Sequence, residues 1–283
     1  IEHASVYETS NYLRASGFDI TVLPVDNQGY VSPDDVRNAI RSDTALVCVM
    51  LVNNEIGTIQ PVREIGTVCR DMATPLMVDA VQALGKLPLK LNELPVDFLT
   101  ASAHKIHGPL GAGLLYIRSG LTLQPLIHGG GQERGLRAST VNLPAIAGFG
   151  AACRIAEGER ENEQNRYRTF RQHIFTAVSE MQDVRVNGDP EYGLPNIISL
   201  SFKNTDAELL IIDLDRKGIA VASGSSCSGS SMNTSRTLRA CGLRDEWARG
   251  TIRISMGRYS TEEEILRFTT ELKTSLKRIR KLS

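Results

Sequence analysis

The sequence predicts an α/β protein with a large doubly wound sheet domain followed by a smaller C-terminal α/β domain. Three observations carry this. Ala45–Val52 (ALVCVMLV) is a continuous apolar run of strand length, which fits a parallel strand buried on both faces. Strand-like and helix-like segments alternate through the first half, the rhythm of helical crossovers between parallel strands. Near residue 159 the pattern changes to short strands interleaved with helices. The chain has 283 residues, about two domains at roughly 150 residues each.

Asp19–Leu23 (DITVL) is a short strand candidate. Ser32–Arg41 reads as a helix, with Ser32 as N-cap and Pro33 at the first helical position. After the Ala45–Val52 strand, Val62–Met72 is amphipathic and helical. Leu76–Val78, Asp97–Ala101 and Gly113–Ile117 are further short buried strands. A long helical stretch runs from near Leu143 to about Met181, with room for a break, and its charge run GERENEQNRYR reads as a solvated face. Beyond it, the strands Ile197–Phe202, Ile219–Ala222 and Thr251–Ser255 alternate with the helices Ala207–Lys217, Thr234–Cys241 and Thr261–Arg280. The expected division is residues 1–158 for the large domain and 159–283 for the small one.

Lys+Arg and Asp+Glu both number 32, so the formal net charge is zero. That argues against direct nucleic-acid binding and against an anionic membrane surface, both of which need a basic surplus. No apolar run reaches the ~18 residues of a membrane helix. The 5 cysteines are widely spaced and form no CxxC pair, which speaks against a disulfide framework or a zinc site and for a reducing, cytoplasmic setting. Cys48, Cys69, Cys153 and Cys241 sit in apolar or helix-like contexts and read as small buried hydrophobes. The chain starts at Ile1 rather than Met, and IEHASVYETS reads like the inside of a domain, so a longer parent chain is expected.

Three constellations carry chemistry. Val78-Asp79-Ala80-Val81-Gln82 follows a short apolar strand, where open α/β sheets place their ligands. Asp79 there can hold a ring nitrogen protonated, or simply cap a helix. Ser102-Ala103-His104-Lys105 follows another strand and precedes the turn-forming GPLGAG. Lys105 is placed for a desolvated, nucleophilic amine, or is a surface lysine in a loop. Ser102 and His104 flank it and can donate to a phosphate. The third run, Ala222–Ser230 (ASGSSCSGS), is Ser- and Gly-rich around one cysteine. Nothing in it packs a core, so Cys227 is expected on an exposed, travelling loop.

Asp79 and Lys105, 26 residues apart in this order, resemble the pair of the aspartate-aminotransferase-like (fold type I) pyridoxal-phosphate enzymes. The likeness sharpens over IEHASVYET, VNNEIGTIQ, VDAVQALGK, SAHKIHGPLGAG, HGGGQERGLRAST, ASGSSCSGS and RISMGRYST, spread from end to end. Together these resemble cysteine desulfurases of the NifS/IscS kind.

That resemblance implies a role for each matching residue. Lys105 is the Schiff-base lysine of pyridoxal 5'-phosphate, and Asp79 bonds the pyridine nitrogen. Gln82 and Asn54 contact the phenolic oxygen, and Asn54 also reaches the substrate. His3 stacks on the ring and moves a proton, and it is the candidate base for the sulfur step. Ser102 and His104 bind the phosphate, and Thr140 is lent to the phosphate of the neighbouring subunit of a homodimer. Arg253 binds the carboxylate of L-cysteine. Cys227 takes the sulfur as a persulfide and passes it to an acceptor protein that feeds iron–sulfur assembly, tRNA thiolation or DNA phosphorothioation.

The resemblance also implies a stretch before Ile1 carrying a phosphate-cradling turn and the entry strand of the large domain, and a tail after Ser283 used in partner contact. Ala103 and Ser226 stand where the family more often has Gly and Ala. A selenocysteine lyase, an aminotransferase, or an inactive scaffold that only binds partners are the alternatives.

Overall fold

The computed structural model describes residues 1–224 and 235–281. The helices are α1 (Ala4–Ala15), α2 (Pro33–Ala39), α3 (Val62–Asp71), α4 (Leu143–Ser179), α5 (Ala207–Asp215), α6 (Arg236–Ala240), α7 (Asp245–Ala248) and α8 (Glu262–Ile279). The strands are β1 (Val47–Met50), β2 (Leu76–Asp79), β3 (Phe98–Ser102), β4 (Gly113–Ile117), β5 (Val184–Asn187), β6 (Ile197–Phe202), β7 (Ala222–Ser223) and β8 (Thr251–Ser255). Contacts divide the chain into two compact units. One, the terminal unit, holds Ile1–Ala39, Val52–Pro61 and Glu161–Ser283; the other, the central unit, holds Ile40–Leu51 and Val62–Arg160.

The central unit carries a sheet of order β1-β2-β3-β4. β1, β2 and β3 run parallel, and β4 returns antiparallel against β3. The parallel strands are apolar on both faces, as such strands must be, with Leu76 and Val78 fully buried. α3 is the crossover from β1 to β2 and buries Val62, Ile65, Gly66, Val68 and Cys69, one stripe at helical spacing. The buried Asp97 ties the entry ends of the strands together. Its Oδ2 accepts from the Leu76 amide at 2.7 Å and its Oδ1 from Arg118 Nε at 2.7 Å.

The terminal unit carries an antiparallel sheet of order β5-β6-β8-β7. Alternation along β6 separates its two faces. Ile198, Leu200 and Phe202 join Ile174 of α4, Leu210 and Leu214 of α5, Ile252 of β8 and Leu272 of α8 in the main core. On the other face Asn187 Nδ2 donates to Ser199 Oγ at 3.1 Å and to Ser201 Oγ at 2.7 Å, and Ser201 Oγ lies 2.7 Å from Thr251 Oγ1. These buried polar groups are satisfied by each other. Thr261 caps α8 reciprocally with Glu264.

Most expected elements form, within a few residues of their predicted ends. Asp19–Leu23 does not form a strand among the described residues; β-propensity alone provides no neighbouring ladder. Ile219–Ala222 shrinks to the two-residue β7. The long helix is continuous from Leu143 to Ser179, and residues 158 and 159 lie within it. α1, β5 and α7 were not foreseen. α1 has no buried residue, so it presents no apolar stripe to read. Among the described residues, no helix is long and apolar enough to cross a membrane, and no His, Cys, Asp and Glu group could hold a metal ion.

Candidate active site

In the central unit the predicted residues gather at the carboxyl ends of two adjacent parallel strands. Asp79 is the last residue of β2 and lies in register with Thr100 of β3. It is 8% exposed, and its Oδ1 accepts from the Val81 amide at 2.9 Å. Residues 81–86 form turns rather than a helix, so this bond closes an Asx-type turn and not a helix cap. Gln82 Oε1 accepts from Lys86 Nζ at 2.9 Å, which leaves the amide N–H groups of Gln82 to donate.

Ser102 ends β3, and a 3₁₀ turn, Ala103–Ile106, follows at once. Residues three apart share one side of such a turn. Ala103 and Ile106 therefore both bury against Phe149, Ala152 and Ala156 of α4. His104 and Lys105, between them, are left exposed. Gly85 lets the chain close on this packing, since a Cβ there would lie 2.9 Å from Ile106 Cγ2 and 2.8 Å from Ala156 Cβ. The desolvation expected around Lys105 is not found: the turn that aims the amine outward also leaves it in solvent.

Thr140 is exposed and follows Ser139, whose φ is 98°. The Ser139 amide donates to Gln132 Oε1 at 3.2 Å, and Ala138 anchors the loop at 3% exposure. Leu126 (94% exposed) and Leu143 (67%) leave apolar surface open in the same part of the chain.

In the terminal unit His3 is the N-cap of α1. Its Nδ1 accepts from the Ser5 amide at 3.2 Å and lies 2.8 Å from Ser5 Oγ. A backbone N–H can only donate, so Nδ1 carries the lone pair and the neutral ring holds its proton on Nε2. Arg253 lies on β8 and donates from Nη1 to the Asn54 carbonyl at 3.1 Å. Among the described residues its buried Nε has no hydrogen-bond partner, a donor that calls for an anion. The loop holding Asn54 is turned by Asn53, whose Oδ1 accepts from the amides of Glu55 at 2.8 Å and Ile56 at 3.0 Å.

Sequence reasoning missed Glu55. Its two carboxylate oxygens accept from Ser235 Oγ at 2.5 Å and Thr237 Oγ1 at 3.0 Å. Burial pushes its carboxyl above the usual range, opposed by those two bonds and by the charges of Arg253 and Arg236. The signal was available: Glu55 is the one charged residue in the stretch VNNEIGTIQ.

Of the four cysteines expected to be buried, Cys69 and Cys241 are, while Cys48 and Cys153 are half-buried. Burial pushes Cys69 and Cys241 up to about 11, and Cys153 upward, so all three stay protonated near neutrality. Cys227 lies outside the described residues.

The donor set of the central unit fits pyridoxal phosphate. A buried carboxylate stands ready for a ring N–H, an amide donor for the phenolic oxygen, and hydroxyl and imidazole groups beside an accessible lysine.

Comparison with known proteins agrees. The class-V aminotransferase family matches residues 1–268. A cysteine desulfurase IscS of Methanosarcina thermophila is 40% identical over 283 residues, covering 100% of this chain and 70% of that protein. The solved structure of a NifS-like protein is 39% identical with a TM-score of 0.91, covering 98% of this chain and 73% of that one. The structure of SspA in complex with cysteine is 33% identical with a TM-score of 0.78, covering 92% of this chain and 73% of that one. The chain belongs to the class-V aminotransferase family and, within it, to the pyridoxal-phosphate-dependent cysteine desulfurases.

Proposed function

We propose that Lys105, Cys227 and His3 carry out the desulfuration of L-cysteine to L-alanine, with the sulfur leaving as a Cys227 persulfide. The observation that carries this reading is the shared edge of β2 and β3. Asp79 closes one strand, and Ser102, His104 and Lys105 follow the other. When bound, pyridoxal phosphate supplies an electron sink for the carbon atoms of the substrate.

The chain's own residues do the rest. Asp79 holds the ring proton, and Gln82 and Asn54 donate to the phenolic oxygen. Ser102 and His104 bind the phosphate. Arg253 fixes the substrate carboxylate, which offers its buried Nε an acceptor. His3 moves a proton at Nε2, because Nδ1 is committed to Ser5. Cys227 attacks the substrate sulfur as a thiolate.

The same reading extends to the assembly. Residues 1–158 are assigned to the cofactor-binding domain and 159–283 to the small domain. The open apolar surface around Leu126 and Leu143 supports a homodimer in which Thr140 reaches the partner's phosphate. The persulfide goes to an acceptor protein in the cytoplasm, with no direct nucleic-acid or membrane contact.

The test is reduction of the cofactor-loaded protein with borohydride, followed by peptide mass mapping. The expected result is a pyridoxyl group on Lys105. A Cys227→Ser variant should keep the cofactor band and lose sulfur transfer. A pyridoxyl group elsewhere, or full transfer by the Cys227 variant, overturns the assignment.

A further inference from the structure

Glu55 is a half-buried acidic side chain that the roles above do not use. It stands where three pieces of the terminal unit meet. Its neighbour Asn54 offers the carbonyl that receives Arg253 Nη1 at 3.1 Å. Its own carboxylate accepts from Ser235, the N-cap of α6, at 2.5 Å and from Thr237 at 3.0 Å. Ser235 cannot turn away freely, because its Oγ also accepts from the Leu238 amide at 3.2 Å. Arg236, between the two hydroxyl residues, donates to the Glu2 carbonyl at 2.5 Å and stacks 3.7 Å over the ring of Tyr7.

The loop is therefore fastened at both ends of its short reach. Asn53 fixes its backbone from within, and Glu55 fastens it to α6 from without. Among the described residues, the protein acceptor of Arg253 is the carbonyl in the middle of that loop. A guanidinium held by one hydrogen bond rotates about it unless the acceptor and the surrounding charge are fixed. Two charge-assisted hydroxyl bonds to a half-buried carboxylate are a strong way to fix them.

We infer that Glu55 is a positioning residue for Arg253: by pinning the Asn54 loop to Ser235 and Thr237, it holds the guanidinium in the orientation that receives the substrate carboxylate. This rests on the reading of Arg253 as the carboxylate binder. Glu55 touches neither substrate nor cofactor in this role. It acts through the Asn54 carbonyl and through its charge beside Arg253.

The experiment is a double-mutant cycle on the holoenzyme, with KM and kcat for L-cysteine measured separately. Binding of L-alanine, followed by the cofactor absorbance, is a readout independent of turnover. Glu55→Ala should raise KM about tenfold, with kcat within about twofold, and weaken L-alanine by a similar factor. Glu55→Gln, which keeps the length and one acceptor oxygen, should raise KM about threefold. In an Arg253→Ala background neither change should matter further.

If Glu55→Ala does not fold, as judged by its melting transition and cofactor band, the Glu55→Gln and Arg253→Ala pair decides alone. Equal Glu55 effects in both backgrounds, or an unchanged KM, overturn the proposal. If Arg253→Ala itself leaves KM unchanged, it is the reading of Arg253 that fails.

Discussion

Ala103 and Ile106, three residues apart in one 3₁₀ turn, both pack on α4, and the two residues between them are thereby turned outward. The position of Lys105 is thus set by its apolar neighbours, with no bond of its own among the described residues. Lys105→Ala should leave the melting temperature within about a degree of the parent, as surface changes do, while abolishing covalent retention of the cofactor. Ile106→Ala should do the reverse. It opens a cavity against Phe149 and Ala156 and costs about 2–4 kcal/mol in urea unfolding. If the Lys105 variant unfolds early instead, that lysine is structural.

Asp79 offers a cleaner electrostatic test, because its turn does not need its charge. The Oδ1 that accepts from Val81 survives in Asp79→Asn, so the end of β2 should keep its geometry. What is lost is the negative charge that favours a protonated ring nitrogen. We expect kcat to fall by about 100-fold or more, the scale of removing one preorganised electrostatic partner. Cofactor occupancy should be checked by absorbance in the same samples. A variant at full occupancy with parental kcat would show that the carboxylate holds no ring proton.

Much of this was legible before the fold. The β2 and β3 runs are apolar enough to be read as buried strands, and Asp79 and Lys105 stand directly after them. Ser32 announced its helix by capping chemistry, and its hydroxyl accepts from the Asp34 amide at 3.2 Å. What was not legible depends on partners distant in sequence. Glu55 meets Ser235 and Thr237 across 180 and 182 residues, and no local period encodes such a pair. α1 has no buried face, so its start was hidden, although His3 caps it. DITVL has strand composition, but composition does not supply a neighbouring strand.

Gly188 shows how the Asn53–Glu55 loop is seated. It adopts φ +79°, and a Cβ there would stand 2.4 Å from the Ile56 carbonyl oxygen. Backbone cannot yield as a side-chain tip can. Gly188→Ala should therefore combine the left-handed conformational cost with a steric one, about 2–4 kcal/mol in total. The midpoint of urea unfolding measures it. A neutral result would mean that the 52–61 segment moves aside at no cost.

The buried thiols make alkaline pH the weak side of this fold. Burial raises Cys69 and Cys241 from 9.0 to about 11, and Tyr167 from 10.0 to about 12. In each case the unfolded chain gives up its proton first. Above pH 9 the unfolded state therefore binds fewer protons than the folded one, and stability falls as pH rises. The contribution of the two thiols is whole below about pH 9 and is lost as pH climbs through about 11. Urea midpoints taken in steps from pH 8 to pH 11 should decline throughout the upper half of that range. Replacing both Cys69 and Cys241 with Ala should flatten the decline while lowering stability at pH 8 through lost packing. Over the same range, iodoacetamide should label neither thiol at pH 8, because almost none of either is thiolate there. Rapid labelling of Cys69 or Cys241 at pH 8, or an unchanged slope in the double variant, would show that these thiols are not held protonated by the core.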